Sequence, residues 1–193
     1  VEKGRAIGVL AESGEPLHAG AVVANVNPKL LYERLMSPGN VPAPTRERMA
    51  NWRCGSGTLR MNVALSRLPD FTALPGEGDH LTAGIIMAPD LDYMDRAYLD
   101  ARAHGWSKQP IVEMLIPSTL DDTLAPAGQH VASLFCQQVQ PELSGGRNWD
   151  DHRDEVADLM IATVGSYAPG FKDSVLCRQV LTPLDLERNF GLI

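Results

Sequence analysis

The sequence predicts an α+β fold: a mixed, largely antiparallel sheet covered by helices, with an N-terminal β-hairpin and strand ahead of it. Three observations predict this. Residues 58–68 (TLRMNVALSRL) alternate apolar and polar side chains with a period of two. Residues 148–168 place Val156, Leu159, Met160, Thr163, Val164 and Tyr167 on one helical face. Strand-like runs at 81–87, 111–116, 130–139 and 174–181 interleave with helical segments, and no internal repeat is present.

Each element has a local reason. Residues 5–11 (RAIGVLA) read as a strand, Glu12–Glu15 as a hairpin loop with Gly14 where positive φ is needed, and Pro16-Leu17-His18 as the return. The valines of Ala21–Val26 carry no polar alternation, so that stretch reads as a strand covered on both faces. Asn27 then caps a helix that has Pro28 at its first position and gives out near Pro38-Gly39. Thr45 reads as the cap of a second helix (RERMANWR) that Gly55 stops.

In 58–68, Leu59, Met61, Val63 and Leu65 share one face, and Arg60, Asn62, Ala64 and Ser66 the other. A Pro/Gly-rich loop at 69–80 precedes the 81–87 strand. Asp90 or Asp92 caps the helix through YMDRAYLDARAH, and Gly105 ends it. Asp150, Asp151, Asp154 and Glu155 sit near the positive end of the 148–168 helix. Thr182-Pro183 breaks the last strand. The apolar stretch from there to Ile193 reads as a strand or loop lacking its continuation.

Bulk properties exclude several classes. The chain of 193 residues carries 44 % hydrophobic and 21 % charged residues, the make-up of a globular protein. Its formal net charge of −7 argues against nucleic-acid binding, which needs clustered Lys and Arg. No apolar run reaches the roughly 20 residues of a transmembrane helix, and the opening residues show no secretory pattern. Cys54, Cys136 and Cys177 are odd in number and far apart. Reduced thiols are the expectation, and with them a cytoplasmic or organelle-matrix location.

Chemical motifs are sparse. The five histidines show no HExxH and no paired ligand spacing, so no metal site is expected. His130 and Cys136 lie six apart on one strand, about 20 Å by strand rise. There is no GxSxG, and Ser56 in CGSGT reads as a helix-to-strand turn. Gly55-Ser56-Gly57 begins a phosphate-type pattern, but Arg60 stands where the third glycine belongs. GEGDHL at 76–81 fails in the same way at Leu81.

The polar face of 58–68 remains. It is either solvated or the lining of a pocket, with Arg60, Asn62, Glu113 and Gln137 as candidate substrate contacts. Glu113 interrupts an apolar strand. If buried it needs a partner, which Arg60 or Arg178 could supply; a surface position on an edge strand is the alternative.

The stretch GRAIGVLAESGEPLHAGAVVANVNPKLLYERL carries a family signal in Gly4, Ala6, Gly8, Val9, Gly14, Glu15, Ala21–Asn25 and Pro28. It resembles phytoene-dehydrogenase-like FAD-dependent oxidoreductases of the amine-oxidase superfamily. Within them it is similar to the subgroup with a pyridine nucleotide-disulphide oxidoreductase domain. LTPLDLERNFG at 181–191 resembles the segment where such chains return to the flavin domain.

The resemblance implies a C-terminal, substrate-domain fragment: 1–40 as edge elements of the flavin domain, 41–181 as substrate domain, 182–193 as return segment. It implies FAD in the parent, with Asn25, Val26 and Asn27 near it, and hydride transfer from a small apolar substrate to flavin. No catalytic acid or base is singled out. The glycine-rich turn that sets the FAD pyrophosphate on a helix N-terminus is absent, so no tight FAD binding by these residues alone is expected. The remainder of the flavin domain is the expected partner. Exposed apolar residues near Leu184 and Leu186 suggest self-association. A non-catalytic scaffold or interaction domain derived from the same family is the other reading.

Overall fold

The computed structural model describes residues 1–54 and 57–192. They divide into two compact units, residues 1–54 with Leu192 and residues 57–191. The expected helix stop at Gly55, the Ser56 turn and the ending at Ile193 lie outside the described residues.

In the first unit, β1 (Gly8–Leu10) pairs antiparallel with β2 (Pro16–His18) around the Gly14 turn, as the sequence led one to expect. Gly8 has a spatial reason: a Cβ there would sit 2.1 Å from the Leu17 carbonyl oxygen. Residues 21–26 form no strand, contrary to expectation, and Val23 is 94 % exposed. An apolar run becomes a strand only when a neighbour takes up its backbone N–H and C=O groups, and no ladder partner stands beside it among the described residues.

Asn27 caps α1 (Pro28–Leu30), and a wider π-type turn continues it through Leu35. The second helix, α2 (Ala43–Ala50), starts two residues before Thr45, with Pro42 at the cap position and Pro44 in its first turn, and it ends at Asn51.

The second unit is a five-stranded sheet of order β4-β5-β6-β3-β7, with every neighbouring pair antiparallel. The strands are β3 (Gly57–Leu65), β4 (Ile85–Met87), β5 (Trp106–Leu115), β6 (His130–Val139) and β7 (Val175–Leu181). The expected α+β architecture is therefore present.

Several strands differ in extent from the reading: β1 covers only Gly8–Leu10 of the expected 5–11, and β3 stops at Leu65 rather than at residue 68. Residues 79–82 form a 3₁₀ turn rather than the start of β4. The ladder of β5 is irregular between Trp106 and Ile111, where Pro110 has no N–H to offer, so pattern reading began the strand too late.

Period-two alternation settles what each face carries. Leu59, Met61, Val63 and Leu65 of β3 join Val112, Met114, Ala132, Leu134 and Cys136 in one buried cluster. Helix α4 (Trp149–Tyr167) closes that cluster with Val156, Ala157, Met160, Ile161 and Val164. Its Asn148 cap accepts from the Asp151 N–H, and Asp150 and Asp151 stand in the positive first turn.

The preceding helix, α3 (Leu91–His104), takes its cap from Asp90 and ends at Gly105 with φ of 100°. It packs Tyr93 and Ala97 on Ile111, on the opposite face of the sheet.

The segment read as a strand or loop after Thr182 is a helix. A short turn, α5 (Phe171–Ser174), leads into β7, and α6 (Pro183–Phe190) follows it. The Thr182 side chain accepts from the Asp185 N–H, and Asp185 answers the Thr182 N–H in a capping box. Threonine at the cap, proline next and aspartate three residues on make a helix start, so the break at Thr182-Pro183 is an opening rather than an end. The same helix turns Leu186 into the interior at 9 % exposure and packs Leu184 on the core, so neither is the exposed apolar residue expected.

Candidate functional site

One sheet face of the second unit is packed by α4. Among the described residues of that unit, the opposite face carries α3, which packs on β5 and β6 with Tyr93 and Ala97 against Ile111. Strand parity and register decide what lies on it. One row runs Ile86, Glu113, Phe135, Arg60, Leu181 across all five strands. The next row runs Leu115, Ser133, Asn62, Gln179. Gln137 stands opposite Ile111, beside Glu113.

The structure therefore brings the four substrate candidates, Arg60, Asn62, Glu113 and Gln137, onto a single face. All four are half-buried, and each has a partner. The Gln137 Nε2 donates to Glu113 Oε1 at 2.7 Å. The Arg60 Nη2 donates to Ser133 Oγ at 2.8 Å, and its guanidinium lies 5.5 Å from the Phe135 ring centroid. The Asn62 Nδ2 donates to Gln179 Oε1 at 3.1 Å.

Two expectations about Glu113 change. Its strand is not at the sheet edge, because β4 lies outside it. Its partner is neither of the arginines considered. Arg60 bonds to Ser133, and Arg178 stands opposite Val63 on the helix-covered face, ion-paired with Asp154 and Asp158 of α4. A side chain of opposite strand parity cannot reach through the sheet.

Sequence reading missed Ser133, Phe135, Gln179 and Leu115. The signal was present in β6, where Ala132, Leu134 and Cys136 alternate with Ser133, Phe135 and Gln137. What was missing was the pairing that sets β6 beside β3 and β5.

A cavity of about 240 Å³ opens on this face, lined by Gly57, Thr58, Phe135, Gln137 and Gln138. At the α3 end, the Tyr93 hydroxyl donates to the Pro110 carbonyl at 2.9 Å, and burial pushes its pKa up to about 12. That phenol is a clamp between α3 and β5, not an acid available near neutral pH. On the helix-covered face, burial likewise pushes the Cys136 thiol up to about 12, so it packs as an apolar group.

Asn25, Val26 and Asn27 lie in the first unit, ahead of α1. The Asn27 side chain accepts from the Lys29 N–H at 2.8 Å, and its Nδ2 points at Cys54 Sγ, 3.3 Å away. A dinucleotide pyrophosphate needs a glycine turn opening into a full helix. Here Asn27 itself serves the first turn of a three-residue helix. Residues 25–27 thus do not fit the phosphate half of FAD. No group of three metal-ligating side chains occurs among the described residues, and none of their helices is long and apolar enough to cross a membrane.

No family model matches the chain. It is 36 % identical, over 98 % of its length, to "Pyridine nucleotide-disulfide oxidoreductase domain-containing protein 2" of Rattus norvegicus, covering 34 % of that protein. It is 26 % identical over 95 % of its length to a 4,4'-diapophytoene desaturase (4,4'-diapolycopene-forming) of Methylomonas sp, again covering 34 %. A chloroplastic prolycopene isomerase of Daucus carota is 22 % identical over 95 % of the chain and is covered to 28 %. The chain thus spans about a third of the length of these curated relatives.

Proposed function

From a chain that resembles phytoene-dehydrogenase-like oxidoreductases along nearly its whole length, we propose that it supplies the substrate-binding part of a longer FAD-dependent oxidoreductase of desaturase type. The parent reaction is hydride transfer from an apolar substrate to flavin. Flavin is held chiefly by residues outside this chain. The partner of this domain is the remainder of the flavin domain, toward which residues 1–40 and the segment after Thr182 contribute.

One observation carries the reading: a sheet face on which apolar and hydrogen-bonded polar side chains alternate, with Ile86 and Leu115 exposed to solvent. Phe135, Leu115 and Leu181 offer apolar contact, in which burial is worth about 25 cal/mol per Å². Arg60, Asn62, Glu113 and Gln137 are already paired with Ser133, Gln179 and one another. Burying them beneath a substrate leaves few polar groups unsatisfied, so an apolar ligand can cover them at low cost. Their role is to orient the substrate and exclude water, and none is assigned as a catalytic acid or base. The printed names of the desaturase and isomerase relatives support an apolar polyene as the substrate class.

The test is a titration of the chain with retinyl acetate as a polyene probe, followed by methyl and aromatic NMR. Saturable shifts are expected at Leu115, Leu181 and Phe135, with none at Leu59 or Leu134 beneath the opposite face. Phe135→Glu is expected to weaken binding at least tenfold. Shifts that never saturate, or that spread evenly over both faces, would exclude the reading. A longer parent that binds FAD and polyene but reduces no flavin would favour the non-catalytic scaffold.

A further inference from the structure

Beyond the β4 edge of the second unit lies a cavity of about 320 Å³, larger than the one on the sheet face. Its walls include Phe71, Leu74, Ile85, Ile86 and Tyr167. His80 also lines it, and the His80 Nε2 is buried without a hydrogen-bond partner.

The surroundings hold this arrangement in place. His80 sits in the 3₁₀ turn Asp79–Thr82, which is tied by the Thr82 hydroxyl donating to the Asp79 carbonyl at 2.8 Å. The buried Leu81 side chain anchors the same turn, and the Thr119 hydroxyl donates to the Leu81 carbonyl at 3.3 Å. Across the loop, the Thr72 N–H donates to the Tyr167 carbonyl at 2.9 Å, fixing Phe71 and its neighbours against the end of α4. The walls are mainly apolar, with His80, Thr72 and Tyr167 as the polar side chains among them, and the volume lies near the lower end of small-molecule sites (about 300–1,000 Å³).

We propose that this cavity binds a small apolar molecule bearing one hydroxyl group, with the hydroxyl paired to His80 Nε2. The chemistry selects a hydroxyl. A ring nitrogen is a donor or an acceptor depending on its tautomer, and an O–H answers either. A carbonyl or ether answers only the donor. A solvent water would satisfy the nitrogen but leave the apolar walls wet, so a ligand that supplies both displaces it with a gain. None of Arg60, Asn62, Glu113 or Gln137 lines this cavity, and the proposal stands without the substrate-face reading.

The experiment titrates the whole chain, with ¹³C-labelled isoleucine methyls, with 2-naphthol and with naphthalene, which lacks the hydroxyl. Saturable shifts are expected at Ile85 and Ile86 and not at Ile161. The alcohol should bind about threefold to tenfold more tightly than the hydrocarbon. His80→Leu should erase that preference, and His80→Gln, which keeps a polar group near Nε2, should restore most of it. Ala73→Phe, placed to fill the cavity, should abolish binding of both probes. Circular dichroism melts check that each variant folds. Should the His80 variants unfold, the wild-type preference and the Ala73→Phe result decide the matter. Equal or weaker binding of the alcohol by the wild-type chain, shifts that do not saturate, or full binding by folded Ala73→Phe would each overturn the proposal.

Discussion

Replacing Asp185 by Asn should cost about 2–4 kcal/mol of stability at neutral pH, and the loss should vanish in acid. The Asp185 carboxylate receives four contacts. The Arg153 guanidinium approaches Oδ2 at 2.8 Å and Oδ1 at 2.9 Å. The Thr182 N–H donates at 2.8 Å and the Thr182 hydroxyl at 2.7 Å, both to Oδ2. An amide offers one oxygen, so at least one donor would then face an N–H₂ group. A hydrogen bond to a charged group contributes about 1.5–3 kcal/mol, and an orphaned buried donor costs about 1–3 kcal/mol. Arg153 keeps the Val180 carbonyl and Asp150 as partners, which holds the total near the lower half of that sum.

The pH dependence supplies a second, independent reading. Burial raises the Asp185 pKa, but hydrogen bonds from Arg153 and Thr182 outweigh it and hold the carboxyl below the usual carboxylate range. A depressed folded-state pKa gives stability that is fully present above the unfolded value of about 3.9 and lost as pH falls through the folded value. Urea unfolding of both chains at pH 7 and at successive steps down to about pH 3 is the assay. At pH 7 the midpoint of thermal unfolding should fall by about 4–16 °C, on the scale of 2–4 °C per kcal/mol for a domain of this size. The gap should narrow steadily below about pH 4. A difference under about 0.5 kcal/mol at pH 7, or one that stays constant into acid, would refute the account of how α6 is fastened.

Other substitutions probe other parts of the fold. Gly105→Ala should destabilise by about 1–3 kcal/mol, because φ there is 100° and a Cβ would lie 2.5 Å from Leu143 Cδ2; chemical unfolding measures it. Leu134→Ala, at a position with no exposure in the middle of the core, should cost about 2–5 kcal/mol by the same measurement. A thiol reagent at pH 8 should label the exposed Cys177 readily and spare Cys136 until the protein unfolds, as mass spectrometry of the labelled peptides would report.

How much of this was legible beforehand follows from the range over which each force acts. The alternation in TLRMNVALSRL settled which side chains of β3 face the core, because parity is a property of one strand. Asn27, the choice of Asp90 or Asp92, and the Gly105 stop were readable for the same reason: a cap bonds to its own chain within a few residues. The start of α6 was equally local, and Thr182, Pro183 and Asp185 spelled it out; attention to the apolar ending obscured the signal. The Ala21–Val26 run misled because apolarity favours burial without supplying a partner strand.

Arg60, Asn62, Glu113 and Gln137 could be named as polar residues on strands, but their union on one face required β6 to lie between β3 and β5. That order is a matter of long-range pairing, which hydrophobic periodicity does not encode. Tertiary structure alone turned Arg178 toward α4, gave Glu113 an amide partner in place of an arginine, and left the His80 nitrogen buried among apolar walls. The sequence by itself determined the local conformation and the inward face of each element. Which faces then met, and which polar groups found or lost a partner, was decided only when segments far apart in the chain came within contact distance.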